Sequence, residues 1–150
     1  MKISPKKSLG QNFLKDKKIL NQIAILGEIG ENDTVIEVGP GTGNLTEEIL
    51  KKTPKKFIAI EKDKNLFINL KKKFNYKVDL INEDVLEIEW DKLSENKSIV
   101  FGNLPYNISA KLLIDLIRLN NLNLLFKKII FMFQKEVADR IVANVNSNKY

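Results

Sequence analysis

A chain of 150 residues is long enough for one domain with a hydrophobic core and too short for two ordinary ones. With 43% hydrophobic and 29% charged residues, no cysteine and no histidine, it falls outside the disordered and disulfide-framed classes, and any chemistry must proceed without thiolates, imidazole bases or the usual transition-metal sites. The formal charge of +6, carried by 23 Lys against 2 Arg, is compatible with a polyanionic partner but equally with a compositional bias toward lysine, so charge alone does not select a function.

No apolar stretch approaches the length of a bilayer span, and Met1 to Lys7 lacks the apolar core of a signal peptide. A cytoplasmic protein without a membrane partner is the expectation. Residues 1–18 hold six Lys and one Asp around Phe13 and Leu14, which reads as a basic arm leading into a domain over 19–150. Asp16 can cap a helix whose apolar positions Ile19, Leu20, Ile23, Leu26 and Ile29 recur at helical spacing, with Gly30 as a stop. Thr34 to Val38 reads as a buried strand, Gly39-Pro40-Gly41-Thr42-Gly43 as a tight loop, and Asn44 to Lys52 as a helix with Leu45, Ile49 and Leu50 inward. The pattern then continues with a strand over Phe57–Ile60, a helix over Asp63–Lys73, and a weaker strand over Lys77–Asn82. A fourth strand over Ser98–Gly102, a helix over Ile108–Leu119, a fifth strand over Lys128–Phe133 and a helix over Gln134–Ala143 complete it. Repeated strand–helix units of this kind predict an α/β fold with a doubly wound, mainly parallel sheet and a ligand outside the strand C-termini.

Glycines between a strand and a helix let a ligand approach the backbone, because glycine lacks a Cβ and tolerates positive φ. The spacing here is Gly-x-Gly-x-Gly, not the Gly-x-Gly-x-x-Gly that seats a dinucleotide pyrophosphate, so a ligand without phosphates is expected and a nicotinamide dehydrogenase is disfavoured. Glu37 is the one charge inside the first strand; a hydrogen bond into the glycine loop is its expected partner, with a site role as the alternative. Glu61 follows the second strand, 22 residues after Gly39, where a carboxylate can accept from both hydroxyls of a ribose; a solvated strand-end acid is the competing reading. Asp84 is expected to end the third strand and to accept from an adenine amino group while Val85 packs on the ring, or else to be a solvated turn acid.

The sharpest feature is Phe101-Gly102-Asn103-Leu104-Pro105-Tyr106-Asn107 after the fourth strand. Such residues punctuate many turns that do no chemistry. Its position beside the switch point of the sheet argues for more. An exocyclic amino nitrogen is a poor nucleophile because its lone pair is delocalised into the base. The Asn103 side-chain oxygen and the Leu104 carbonyl can accept its hydrogens and favour a pyramidal nitrogen aligned with a methyl donor. Pro105 would set the turn and Tyr106 would stack on the extruded base.

Four segments taken together resemble the ribosomal RNA small-subunit adenine N6,N6-dimethyltransferase family, essentially from end to end. They are Lys7-Ser8-Leu9-Gly10-Gln11-Asn12-Phe13-Leu14, Val38 through Thr46, Gly102 through Ser109, and Gln134-Lys135-Glu136-Val137-Ala138-Asp139-Arg140. The resemblance implies a Rossmann-like methyltransferase domain that uses S-adenosylmethionine and no metal. It implies cofactor contacts from Asn12, Leu14, Gly39, Gly41, Glu61, Lys62, Asp84, Val85 and Asn103, with Asn103, Leu104, Pro105 and Tyr106 catalytic. The implied substrate is a pair of adjacent adenosines near the 3′ end of small-subunit rRNA, within an immature subunit, and the implied state is a monomer. Family members continue beyond the position of Tyr150 into further strands, a second base-stacking segment and a helical C-terminal domain. The sister group that methylates large-subunit rRNA and a non-catalytic RNA-binding assembly factor are the alternatives. DNA amino-methyltransferases, which usually carry Pro-Pro at the corresponding turn, are disfavoured.

Overall fold

The computed structural model describes residues 13–93 and 97–144, apart from the side chains of Tyr106 and Asn107. Five strands, β1 (Thr34–Val38), β2 (Lys56–Ile60), β3 (Asp79–Ile81), β4 (Ser98–Gly102) and β5 (Phe126–Phe131), form one sheet in the order β3-β2-β1-β4-β5. Every pairing is parallel. The order runs outward from β1 to β3 and then returns to place β4 on the other side of β1. The switch point therefore lies between the C-terminal ends of β1 and β4, where loops diverge and leave room for a ligand.

The alternation of side chains along each strand divides the core into two layers. Val35, Phe57, Ala59, Ile99 and Phe101 pack with α1 (Lys17–Leu26), α2 (Asn44–Leu50) and α3 (Lys64–Phe74) through Leu20, Ile23, Ala24, Leu45, Ile49, Leu70 and Phe74. Ile36, Val38, Ile58, Ile60 and Val100 pack on the opposite face with α4 (Trp90–Leu93), α5 (Tyr106–Ile117) and α6 (Leu122–Leu125) through Trp90, Leu112, Leu116 and Leu125. A final helix, α7 (Lys135–Ile141), follows β5. Burial on both faces is why β1, β2 and β4 read as continuous apolar runs.

Most element ends lie within two residues of the sequence expectation. Asp16 caps α1 as expected, accepting from the Lys18 and Ile19 amides at 2.9 and 3.3 Å. The helix stops at Gly27 rather than Gly30, and Ile19 and Leu26 are exposed, so Leu20, Ile23 and Ala24 form its buried face. A Cβ on Gly27 would lie 2.5 Å from the Phe101 ring, so the chain turns there against the core. Asp63 is the N-cap of α3, bonding the Asn65 and Leu66 amides. β3 is shorter than expected and ends at Ile81; Asp84 does not close it but caps a 3-10 turn over Val85–Glu87 through Leu86 N–H. α5 begins at Tyr106, two residues before the predicted Ile108, with Pro105 at its cap position and the Pro105 carbonyl accepting from Ile108 and Ser109. The short helices α4 and α6 carry too few turns to leave a periodic signal. Among the described residues no helix is long and apolar enough to cross a membrane.

Candidate active site

A cleft of about 410 Å³ opens at the switch point, within the range of small-molecule sites. Its floor is the glycine loop. Gly39, Gly41 and Gly43 all have positive φ, at 66°, 60° and 78°. At two of them the missing Cβ matters for the cleft: a Cβ on Gly39 would lie 2.5 Å from the Leu104 side chain, and one on Gly41 would lie 3.0 Å from the Phe13 ring.

The glycine amides of this loop are already engaged. Gly39 N–H donates to the Ile60 carbonyl at 2.9 Å, Gly43 N–H to the Pro40 carbonyl at 2.8 Å, and Gly41 N–H to Glu61 Oε2 at 3.1 Å. A phosphate cradle needs such groups pointing at the ligand; here they point into the protein. Charge agrees with geometry: among the described residues Lys62 is the one cation lining the cleft, against Glu61, Asp63, Glu83 and Asp84, while Glu37, also in the lining, keeps its proton near neutral pH. This environment suits a cationic ligand rather than a diphosphate.

Glu61 sits just past β2, buried, with Oε1 accepting from Asp63 N–H at 2.8 Å and Oε2 from Gly41 N–H. Burial pushes its carboxyl above the ordinary range, and the two backbone donors oppose that rise. The Asn82 side-chain amide holds the same corner by donating to the Glu61 carbonyl at 2.7 Å. Asp84 pairs with Lys62 at 2.5 Å, and this hydrogen-bonded cation holds the Asp84 carboxyl below its usual range. Val85 is buried beside it. Glu37 is fully buried, and its carboxyl is pushed up to about 8 by desolvation, opposed by the Thr46 hydroxyl and reinforced by the charge of Glu61. The expected partner in the glycine loop is replaced by Thr46 of α2, whose Oγ1 donates to Glu37 Oε2 at 2.6 Å. The side chain of Glu37 points to the α2 face of the sheet, so the first turn of that helix meets it before the loop does.

Leu14, Gly39, Gly41, Glu61, Lys62, Asp84, Val85, Asn103, Leu104 and Pro105 thus come together around one cleft. Asn12 and the side chain of Tyr106 lie outside the described residues. Phe13, Thr42, Asn44 and Ile108 also line the cleft and were not singled out from sequence. Adjacency to Leu14 was the available signal for Phe13, whereas Asn44 reads as an ordinary helix start.

The geometry can be set beside known proteins. The model of the ribosomal RNA adenine dimethylase family matches residues 3–150. A ribosomal RNA small subunit methyltransferase A from Pelagibacter ubique is 48% identical over 150 residues, which cover 100% of this chain and 57% of that protein. The chain spans about half the length of the curated relatives it matches. Among solved structures, a dimethyladenosine transferase from Plasmodium falciparum is similar at a TM-score of 0.77 and 34% identity, covering 93% of this chain and 49% of that one. The 23S rRNA methyltransferase ErmE is similar at 0.75 and 25%, covering 86% and 50%. The fold is the Rossmann-like fold of S-adenosylmethionine-dependent methyltransferases. With its glycine loop, acid-lined cleft and Asn-Leu-Pro turn on that fold, the chain belongs to the ribosomal RNA adenine dimethylase family, a family of S-adenosylmethionine-dependent methyltransferases.

Proposed function

We propose that the protein transfers methyl groups from S-adenosylmethionine to the N6 atoms of two adjacent adenosines near the 3′ end of small-subunit rRNA, acting as a cytoplasmic monomer on immature subunits during their assembly. The observation that carries this reading is that Asn103, Leu104 and Pro105 line the same cleft as the glycine loop, with the Leu104 side chain against Gly39. Donor and acceptor sites thus share one wall. Relatives matching at 41–48% identity bear small-subunit names, whereas the 23S enzyme matches at 25%, which favours the small-subunit substrate.

The cleft fits the cofactor on its own evidence: two glycines at which a Cβ would crowd Leu104 and Phe13, a volume of small-molecule size, an acidic lining, and glycine amides that bond the protein rather than face a phosphate. When bound, S-adenosylmethionine supplies an electrophilic methyl on a sulfonium. In our reading Glu61 accepts from the ribose hydroxyls, using the lone pairs left by Gly41 and Asp63, and Asp84 accepts from the adenine amino group beside buried Val85. Leu14, Gly39, Gly41 and Lys62 contact the same ligand, together with Asn12. Asn103 Oδ1 and the Leu104 carbonyl accept from the substrate amino group and orient its nitrogen, one N–H proton leaving for each methyl gained. Pro105 holds the turn at the start of α5, and Tyr106 stacks on the extruded base. The Lys-rich residues 1–18 contact rRNA phosphates.

Under-methylated small-subunit particles incubated with the protein and a methyl-labelled donor should gain label at adjacent adenines, mapped by primer-extension stops. Label confined to large-subunit rRNA would place the protein in the sister group. Calorimetric titration without S-adenosylmethionine binding would instead favour an RNA-binding factor that does no chemistry.

A further inference from the structure

An asparagine at the cap position of a helix turns its side chain back onto the first amides of that helix, and Asn44 stands one residue too late for that role. The cap position of α2 is Gly43, in the left-handed region, and no side chain caps the helix. The Asn44 amide reaches outward instead, donating from Nδ2 to the Leu14 carbonyl at 2.7 Å across 30 residues of sequence. Leu14 and Phe13 form a wall of the cleft that belongs to no strand or helix, and the Phe13 ring rests where Gly41 lacks a Cβ. On one side this wall is anchored by the Asp16 cap of α1. The hydrogen bond from Asn44 ties it to the first residue after the glycine loop.

We infer that Asn44 is a positioning residue for cofactor binding, acting through the Leu14 carbonyl to hold the Phe13-Leu14 wall against the glycine loop. The inference rests on the reading of the cleft as the S-adenosylmethionine site. A backbone acceptor cannot be removed by substituting Leu14, so the donor is the place to intervene. The Asn44 side chain itself belongs to neither core layer, whereas the Leu14 side chain packs on the first, so removing the Asn44 amide frees the wall's backbone without removing an apolar contact.

The test is a thermodynamic cycle read by calorimetric titration with S-adenosylhomocysteine. Asn44→Ala should weaken binding about 5- to 10-fold, the scale of one net hydrogen bond, with the melting temperature nearly unchanged. Asn44→Asp, which keeps the shape but loses the donor, should do the same. In a chain lacking residues 2–14 the Asn44→Ala substitution should have no further effect, because the group it acts through is gone. In the intact chain the ligand should protect the Lys15 peptide bond from trypsin, and Asn44→Ala should abolish that protection. Equal losses with and without residues 2–14 would mean that Asn44 acts on the ligand or loop directly and would overturn the inference, as would unchanged affinity in the intact chain. Failure of the unsubstituted chain to bind S-adenosylhomocysteine would overturn the cofactor reading and this inference with it.

Discussion

The rim of the cleft built on β1 and β2 and the rim built on β4 are held by different forces. On the first, hydrogen bonds to buried carboxylates and carbonyls do the positioning: Thr46 to Glu37, Gly41 and Asp63 to Glu61, Gly39 to the Ile60 carbonyl and Asn82 to the Glu61 carbonyl. On the second, no buried carboxylate takes part among the described residues, and apolar contact joins backbone bonds to the Gly102 and Pro105 carbonyls in seating the turn. A Cβ on Gly102 would lie 2.8 Å from the Phe131 ring, and Leu104 lies over Gly39. Directional bonds in a buried site specify one loop shape, because each misplacement strands a polar group. The Leu104 side chain, seated by packing, can adjust, which suits the side that in the proposed reading admits a base.

The largest expected effect is on the β4 rim. Asn103→Ala should lower methyl transfer at least about 100-fold, the cost of losing one oriented acceptor at a reacting centre, while S-adenosylmethionine affinity measured by calorimetry stays close to that of the unsubstituted protein. Full activity would remove Asn103 from the chemistry. On the hydrogen-bonded rim, Glu61→Ala should weaken cofactor binding by about 1.5–3 kcal/mol and lower the melting temperature as well, since two amides lose their acceptor. A stability loss with unchanged affinity would reduce Glu61 to a brace for the loop.

Gly39→Ala tests the seam between the rims. The Leu104 side chain is flexible enough to swing from a new Cβ, so the cost is dominated by an alanine at φ 66° and should be about 1–2 kcal/mol in chemical denaturation. Because Leu104 moves, methyl transfer should fall more than cofactor affinity; equal falls would mean that the rims are not coupled through this contact. The last effect, read in the pH dependence of stability rather than in activity, concerns Glu37. Its carboxyl keeps its proton in the folded state up to about pH 8, whereas the unfolded chain releases it near 4.5. Between those values the folded state binds more protons, so this group's contribution falls as pH rises, by up to about 1.4 kcal/mol per pH unit. Glu37→Gln, which still accepts from Thr46, should flatten that part of the stability profile between pH 5 and 8. An unchanged slope would show that Glu37 is ionised in the fold.

Much of this architecture is legible in the chain because its signals are local. The apolar runs at Thr34–Val38 and Ser98–Gly102 coincide with β1 and β4, and Asp16 and Asp63 announce helix starts by a side chain that bonds amides two or three residues ahead. What was misread depends on distant contacts. The C-cap of α1 falls on Gly27, where a side chain would meet the Phe101 ring, and Glu37 finds Thr46 because α2 folds back on β1. Asp84 leaves the strand because β3 ends at Ile81, where the adjacent β2 also stops. Phe13 and Asn44 gain their places only when the chain before α1 meets the start of α2.

By itself the sequence determined the alternation of strands and helices, the phosphate-poor character of the glycine loop and the presence of an Asn-Leu-Pro-Tyr segment, all set by residues within a few positions of one another. Only the tertiary structure decided that the glycine amides are spent inside the protein, that Glu61, expected to accept from ribose hydroxyls, also bonds the Gly41 amide of the loop, and that Asn44 binds the N-terminal wall. The reason is physical: a hydrogen bond or a Cβ clash between residues far apart in the chain has no periodicity and exists only once the sheet order β3-β2-β1-β4-β5 brings those residues together.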